Sequence, residues 1–443
     1  MDHGPGWPAG SSVLPLGDRA LLVPTTGIDH ARRVAAALEA AGVGVGGTGR
    51  SAEVVTGFGG VAVVLAGDDG ADDVADRPLA WWAAWVAEVQ AGATAAGPVD
   101  PGPNLGPERD GADAGPERKE GATHVLPVVF DGTDLADVAG RLGMDADDVV
   151  GLLVGAELEV ALLGFAPGFP YLVGLPEPLA SLPRRSTPRP GVPAGSVAVA
   201  GGFAGIYPRS SPGGWHLLGR TPVRLFDPTT PPYSALAVGD RVRFAVAGTD
   251  GPGSGPDAAV DRIPPLPALA PDADRWLEVV DPGFLTTVQD GGRTGVARLG
   301  CPAGGTADPD ARVLVNRLLG NPDGAAVLEC TAAGPVLRIH ASSPDPVHVA
   351  VVGADAGAVH LRLDGRPVAA GTVVPVAPGQ VVAVGPVARG LRAVLGVAGG
   401  LTTTEILGSR SSDLLTGLGP GPLRTGDRLP VGPPSRPRGR LAL

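Results

Sequence analysis

Lysine is all but missing from this chain. One of its 34 Lys and Arg residues is a lysine, Lys119, and it lies in a Pro/Gly/Glu/Asp-rich stretch. No Gly-Lys-Ser/Thr exists, which excludes a P-loop. The ordered regions hold no lysine for Schiff-base chemistry either. Recognition of phosphate or carboxylate is therefore left to arginine forks, backbone N–H groups and helix N-termini. Cysteine is nearly as scarce. Cys301 and Cys330 are the two present, too few for a disulfide framework. No apolar run reaches the roughly 18 residues of a membrane helix. The first residues, Met1-Asp2-His3-Gly4-Pro5, lack the basic and apolar regions of a signal peptide. We expect a cytoplasmic protein with no membrane partner. Positive charge is in deficit, Lys+Arg 34 against Asp+Glu 46 for a net charge of -12, which speaks against a nucleic-acid surface. The seven histidines show no metal-ligand spacing, so metal ligands stay unassigned.

Glycine and proline are what the chain has in excess, at 70 and 48 of 443 residues. That favours a turn-rich, mainly β protein, and the length allows two or three domains. Residues 12–92 read as a small α/β lobe, after a loose leader over 1–10. In the lobe a strand ends at Val23 and a helix runs from Asp29 (N-cap) to Ala41. Strands follow at Ala52–Val55 and Val61–Ala66, then a helix at Ala80–Ala91 with Trp81, Trp82 and Trp85 on one face. Residues 93–121 have no periodicity and are expected to be a disordered insertion. A barrel domain is expected over 122–247, with a strand at His124–Phe130, helices at Asp134–Leu142 and Asp145–Val154, and strands at Glu157–Leu163 and Val242–Val246. A linker spans 248–274. A second β domain spans 275–432, with a helix from Pro309 to Leu319 and short strands between Ala326 and Val397. Residues 433–443 are a tail. Gly-Asp-Arg recurs at 17–19, 239–241 and 426–428, and the sequence reads as a turn leading into a strand.

Gly164 to Pro228 organises the chain. It carries Gly164-Phe165-Ala166-Pro167-Gly168-Phe169-Pro170-Tyr171-Leu172, then Pro188-Arg189, Val192 to Ser196, Ile206-Tyr207-Pro208, Gly213-Gly214-Trp215-His216 and Gly219-Arg220. Proline is too frequent for a core strand and the aromatics are too many for a linker. The expectation is ordered loops that leave and re-enter a barrel around a ligand.

These words resemble the allophanate hydrolase subunit 1 family, which includes the B subunit of prokaryotic 5-oxoprolinase, and the likeness runs over residues 12–246. Residues 276–432 resemble the partner family, allophanate hydrolase subunit 2, or the 5-oxoprolinase C subunit. The matching words are Gln289-Asp290-Gly291-Gly292-Arg293, Asn316-Arg317-Leu318-Leu319-Gly320-Asn321, Leu328-Glu329, Gly353-Ala354, Gly399-Gly400 and Leu407-Gly408-Ser409-Arg410. The resemblance implies an α/β lobe and two cyclophilin-like β-barrel domains, related to each other. It implies three activities. The first is ATP-dependent opening of 5-oxo-L-proline to L-glutamate, with Mg2+ and a protein like the 5-oxoprolinase A subunit. The second is biotin-dependent carboxyl transfer to urea or a related amide. The third is a non-catalytic, histidine-kinase-inhibitor-like binding role. A homo-oligomer is compatible with each. Three departures stand out. The second family usually extends well beyond Gly426-Asp427-Arg428, so its N-terminal half alone is expected here. Leu153 stands where the first family often has histidine, and the loop Asp131-Gly132-Thr133-Asp134-Leu135 is short.

Lactam hydrolysis needs its carbonyl activated, and phosphorylation does this if a triphosphate is held beside a small carboxylate. Arg189, stiffened between Pro188 and Pro190, reads as a phosphate or carboxylate clamp or as a loop staple. Arg185, Arg209 and Arg220 carry the same pair of readings. Val192 to Ser196 is a ligand-facing turn with Ser196 as a hydroxyl donor, or an ordinary β-turn. Gly213 and Gly214 permit close approach of a ligand. Tyr207 lines a pocket or packs beneath it. His216 is an acid/base or a structural histidine. Asp290 and Arg293 pair with each other or meet metal and phosphate. Asp308 caps the helix at Pro309 or acts as a base. Asn316 and Glu329 are weaker candidates. Cys301 lacks an activating base.

Overall fold

The computed structural model describes residues 14–15, 20–24, 28–41, 43, 52–57, 60–65, 87, 89, 91, 121–248, 273–353 and 359–434. The expected leader, most of the tail, linker and insertion, and Trp81, Trp82 and Trp85 lie outside them. The chain divides into two compact units. One is Met1–Asp261 with Thr294–Pro302, and the other is Arg262–Arg293 with Ala303–Leu443. Nothing in the sequence announces the excursion Thr294–Pro302. Among the described residues no helix is long and apolar enough to cross a membrane.

The first unit opens with an antiparallel sheet of β1 (Leu14–Pro15), β2 (Ala20–Pro24), β3 (Ala52–Gly57) and β4 (Gly60–Leu65), in the order β1-β2-β4-β3. Helix α1 (Ile28–Ala40) packs on it. Ala31, Val34, Ala35 and Leu38 are buried at helical spacing, so one stripe meets Leu21, Val61 and Val63 of the sheet. Asp29 lies within the first turn of α1. Ala87, Val89 and Ala91 are helical, within the expected second helix.

The barrel follows. Its strands are β5 (Thr123–Val128), β6 (Leu158–Leu163), β7 (Pro170–Val173), β9 (Ser196–Ala200), β10 (Phe203–Ile206), β12 (His216–Arg220) and β13 (Arg241–Val246). They form one sheet in the order β12-β9-β10-β7-β6-β13-β5, antiparallel except for β13 and β5. Helices α2 (Leu135–Leu142), α3 (Ala146–Val154) and α4 (Glu177–Ala180) pack against its strands. A two-stranded ribbon, β8 (Arg189–Val192) with β11 (Ser211–Gly213), stands apart from the sheet. The two edges of the sheet then meet. Val129 and Arg220 exchange both backbone hydrogen bonds at 2.9 Å, and Gly132 and Asp134 donate to Leu218 and Leu217 carbonyls at 3.1 and 3.0 Å. Glycine makes the seam possible, because a Cβ on Gly219 would come 2.5 Å from the Val129 carbonyl. Leu158, Val160, Leu172, Val197, Val199, Leu218 and Val242 fill the interior.

The second unit holds two sheets around one apolar core. One contains β14 (Arg275–Asp281), β17 (Val336–Ala341), β19 (Val359–Leu363), β20 (Arg366–Val368), β22 (Val381–Val387) and β24 (Arg428–Pro430). The other contains β15 (Leu285–Gln289), β16 (Val327–Thr331), β18 (Val347–Val352), β21 (Val374–Val376) and β23 (Arg392–Val397). Helix α5 (Pro309–Leu319) covers the second sheet through Val315, Leu318 and Leu319. Its ends are the expected ones, Pro309 in the first turn and Gly320 left-handed after the last. The molecule is thus mainly β, with an α/β lobe and barrel-type β domains.

The Gly-Asp-Arg turns at 239–241 and 426–428 work alike, and the one at 17–19 lies outside the described residues. Gly239 donates to the Val160 carbonyl and Asp240 accepts from Val160 N–H; Gly426 and Asp427 do the same with Val279. Each Asp carboxylate also accepts from the N–H three residues earlier, Ala237 at 2.9 Å and Arg424 at 2.7 Å. Arg241 and Arg428 each begin a strand, as the turn reading requires.

Candidate functional site

An aromatic shelf forms where the chain leaves β6. Phe165 sits at the centre of a three-residue turn, with Ala166 N–H donating to the Gly164 carbonyl at 2.8 Å and φ at 67°. A bulky side chain rarely adopts that conformation, and strain of this kind collects at binding sites. The turn leaves Phe165 55% exposed. Its edge meets Phe169 and Tyr207 at centroid distances of 5.5 and 6.5 Å. Tyr207 and Trp215 stand edge-on to Phe169 at 5.1 and 5.6 Å. Glycine again makes room, since a Cβ on Gly213 would come 2.2 Å from the Tyr207 hydroxyl. Burial pushes the Tyr207 phenol up to about 12, with Tyr171 adding to the rise and Arg184 and Arg189 opposing it. Tyr207 is therefore a neutral hydrogen-bonding group rather than a base.

Beside the shelf, Asp134 gathers the arginines. One carboxylate oxygen accepts from Arg189 at 2.6 Å and from Arg185 at 2.8 Å, and the other accepts from Leu217 N–H at 2.8 Å. Burial works to raise this carboxyl. The bonds from Arg189 and Leu217, with the charges of Arg189 and Arg185, outweigh it and hold the group below its ordinary value. Arg189 also reaches the Trp215 carbonyl at 3.4 Å. Two guanidiniums on one carboxylate leave a fixed excess of positive charge, suited to phosphate or carboxylate. The clamp and staple readings of Arg189 thus meet in one side chain, pinned on its inner side and partly exposed.

The remaining predicted residues of the first unit fall around this pair. Gly213 is the cross-strand partner of Arg189, and Gly214 accepts from Arg185 N–H at 2.8 Å. His216 is 1% exposed in the barrel wall, with Nε2 2.9 Å from the Pro183 carbonyl, which is the geometry of its structural reading. Ser196 is buried in β9 opposite Arg220, and Arg220 pairs with Asp131 at 2.9 Å. Arg209 follows β10 and is partly buried. Asp134 and Phe165 are not among the candidate site residues of the sequence, although both fall in segments that it marks; Arg184 carries the same pair of readings there as Arg185. Asp134 lies 51 and 55 residues from its arginines, so no local spacing announces it.

In the second unit Asp290 and Arg293 are both buried, and each binds the segment 406–411. Asp290 accepts from the Ser409 and Ser411 hydroxyls and from Arg410 N–H, each at 2.6 Å, and from Gly292 N–H at 2.8 Å. Arg293 donates to the Ile406 and Ser411 carbonyls at 3.1 and 2.6 Å. Asp308 caps α5, accepting from Ala311 N–H at 2.9 Å. Glu329 accepts from Ala307 N–H at 2.7 Å, and Asn316 and Asn321 bridge to Gly399. These groups brace loops. Cys301 and Cys330 are both buried, and burial pushes the Cys330 thiol up to about 12. Among the described residues no three His, Cys, Asp or Glu side chains group as metal ligands.

The carboxyltransferase domain family, subdomain C and D, matches residues 105–236, and its subdomain A and B counterpart matches residues 299–442. The crystal structure of TTHA0988 is similar at a TM-score of 0.75 and 32% identity, covering 96% of this chain and 77% of that one. This chain belongs to the carboxyltransferase-domain family. It is similar to the B subunit of 5-oxoprolinase from Bacillus subtilis (strain 168), 45% identical over 122 residues, which are 27% of this chain and 50% of that protein. It is also similar to the C subunit of 5-oxoprolinase from Escherichia coli (strain K12), 35% identical over 163 residues, 36% of this chain and 50% of that protein. The carboxyltransferase-domain chain thus spans about half the length of each of these curated relatives.

Proposed function

We propose that this chain is the fused B–C component of an ATP-dependent, 5-oxoprolinase-type amidohydrolase. It converts 5-oxo-L-proline to L-glutamate together with a protein like the 5-oxoprolinase A subunit. The observation that carries the reading is that one chain matches subdomain C and D at residues 105–236 and subdomain A and B at residues 299–442, and is similar to both the B and the C subunits of 5-oxoprolinase. The lactam carbonyl is a poor electrophile, and transfer of the ATP γ-phosphoryl group to its oxygen makes the carbon open to water. That chemistry rests on positioning and charge. Arg185 and Arg189, fixed by Asp134 beside an aromatic shelf, suit a phosphate or the substrate carboxylate. Mg2+ would be held chiefly by nucleotide phosphates and water, which agrees with its preference for few protein ligands.

The test is ATP hydrolysis by the purified chain with the A subunit supplied. Hydrolysis should depend on 5-oxo-L-proline, and Arg189→Ala should lower kcat/KM at least about tenfold. A folded protein that binds neither ATP nor 5-oxo-L-proline would sink the reading. The family descriptions favour a second reading, carboxyl transfer from a biotinylated partner. Transfer of labelled carboxylate from carboxybiotin to urea, with no ATP hydrolysis on 5-oxo-L-proline, would replace the first reading by the second.

A further inference from the structure

The first unit holds a cavity of about 580 Å3 whose lining includes no residue of the Asp134 cluster. Its volume is that of a small-molecule site, roughly 300 to 1,000 Å3. Three parts of the chain build it: the outer face of α1, strands β3 and β6 with the turn at Val238-Gly239, and the excursion at Ala297-Arg298. Arg32 lies at one wall, held by Glu159 at 2.6 Å. Arg33 and Arg298 line the same space, and among the described residues neither has a hydrogen-bond or ion-pair partner. Glu39 and Thr56 add one carboxylate and one hydroxyl, while the remaining walls are largely apolar, such as Leu162.

We propose that this cavity binds a small amino-acid-type carboxylate. Arg33 and Arg298 receive the carboxylate, Glu39 accepts from a nitrogen-bound hydrogen, and the apolar walls take the carbon skeleton. A guanidinium pairs well with a planar carboxylate. Glu39 disfavours a free phosphate dianion, and the apolar walls give it nothing to bury. The excursion ties the cavity to the aromatic shelf. Arg298 lines the cavity, while the next residue, Leu299, accepts from Gly168 N–H at 2.8 Å. Gly300 packs against Gly164 so closely that a Cβ there would come 3.0 Å from its nitrogen. Occupancy of the cavity therefore bears on the strained turn that presents Phe165.

The proposal does not depend on which reaction the chain takes part in. Titration calorimetry on the full chain would use L-glutamate, 5-oxo-L-proline, acetate and inorganic phosphate. L-glutamate or 5-oxo-L-proline should bind with a Kd of about 1 mM or tighter, and acetate and phosphate at least tenfold more weakly. Arg33→Gln with Arg298→Gln should weaken that binding at least about tenfold, whereas Arg141→Gln, at an exposed arginine of α2 outside both sites, should leave it within about twofold. Both arginines are exposed, so the double variant should keep its circular dichroism spectrum and Tm. Binding that the double variant leaves unchanged, phosphate binding tighter than either amino-acid-type ligand, or no binding of those ligands below about 10 mM would overturn the proposal.

Discussion

Asp134 is the residue on which the candidate site turns. Its carboxylate holds Arg185, Arg189 and the Leu217 N–H while only 5% of its side chain is exposed. Asp134→Asn keeps the shape and removes the charge, so the two guanidiniums lose their counter-ion. A cost of about 2 kcal/mol in urea unfolding at pH 7 is expected, the size of a hydrogen bond to a charged group. The sign of the pH effect follows from the carboxyl being held below its ordinary value of about 3.9. Its stabilisation is present above that value and is lost as pH falls through the folded one. The gap between wild type and Asp134→Asn should narrow below about pH 4, and a gap constant down to pH 2 would contradict the assignment. Tyr207 carries the opposite sign. Its phenol is pushed up to about 12, so the stabilisation it gives is full below its ordinary value and fades towards that pH. Absorbance titration should show a late ionisation that Tyr207→Phe removes. None of this is legible locally. Arg189 and Tyr207 stand out in the sequence through their prolines, but the acid that orients Arg189 lies 55 residues away and reads as a helix start.

Legibility at the scale of elements follows how local the signals are. Helix α5 is legible in full, because Asp308, Pro309 and Gly320 mark its ends within the segment itself. The ribbon of β8 and β11 is not. Pro188-Arg189-Pro190 reads as a stiff loop, yet Arg189 begins a strand whose partner lies some twenty residues on. A two-stranded ribbon is all edge, so it tolerates Pro190 and Pro212. Gly164 to Pro228, expected to be ordered loops, contains six strands. Gly168, Gly174, Gly195, Gly201 and Gly202 sit between strands with positive φ, whereas Gly205, Gly213 and Gly219 lie within strands where the backbone is closely approached. The barrel seam gives the sharpest test. Gly219→Ala would force a methyl group to 2.5 Å from the Val129 carbonyl, which the seam itself holds in place. A loss of about 1 to 3 kcal/mol in urea unfolding is expected. Exposed Gly140, with nothing within 4 Å of a built Cβ, is the control, and its alanine variant should be neutral or better. Equal effects at the two positions would mean that the edges do not close.

For the whole molecule, the order of units along the chain and their physical composition disagree, and this has a consequence for any attempt to divide it. The second family likeness starts at residue 299, and the sequence places a domain boundary in the linker before 275. Yet Thr294–Pro302 belongs to the first unit. A fragment ending at Asp261 would lack the Leu299 carbonyl that receives Gly168 N–H and the glycine that packs on Gly164. The turn at Phe165, already strained, would lose the packing that holds it. Local opening then needs less free energy, and amides in such a segment exchange faster. Gly168 N–H should exchange slowly in the full chain and at least about tenfold faster in fragment 1–261. Supplying a peptide of residues 294–302 should restore part of the protection. Protection at Gly168 that is the same in fragment and full chain would show the excursion to be dispensable. Residues 294–302 pack within the first unit although they follow the linker in sequence, so a cut at the linker removes part of that unit.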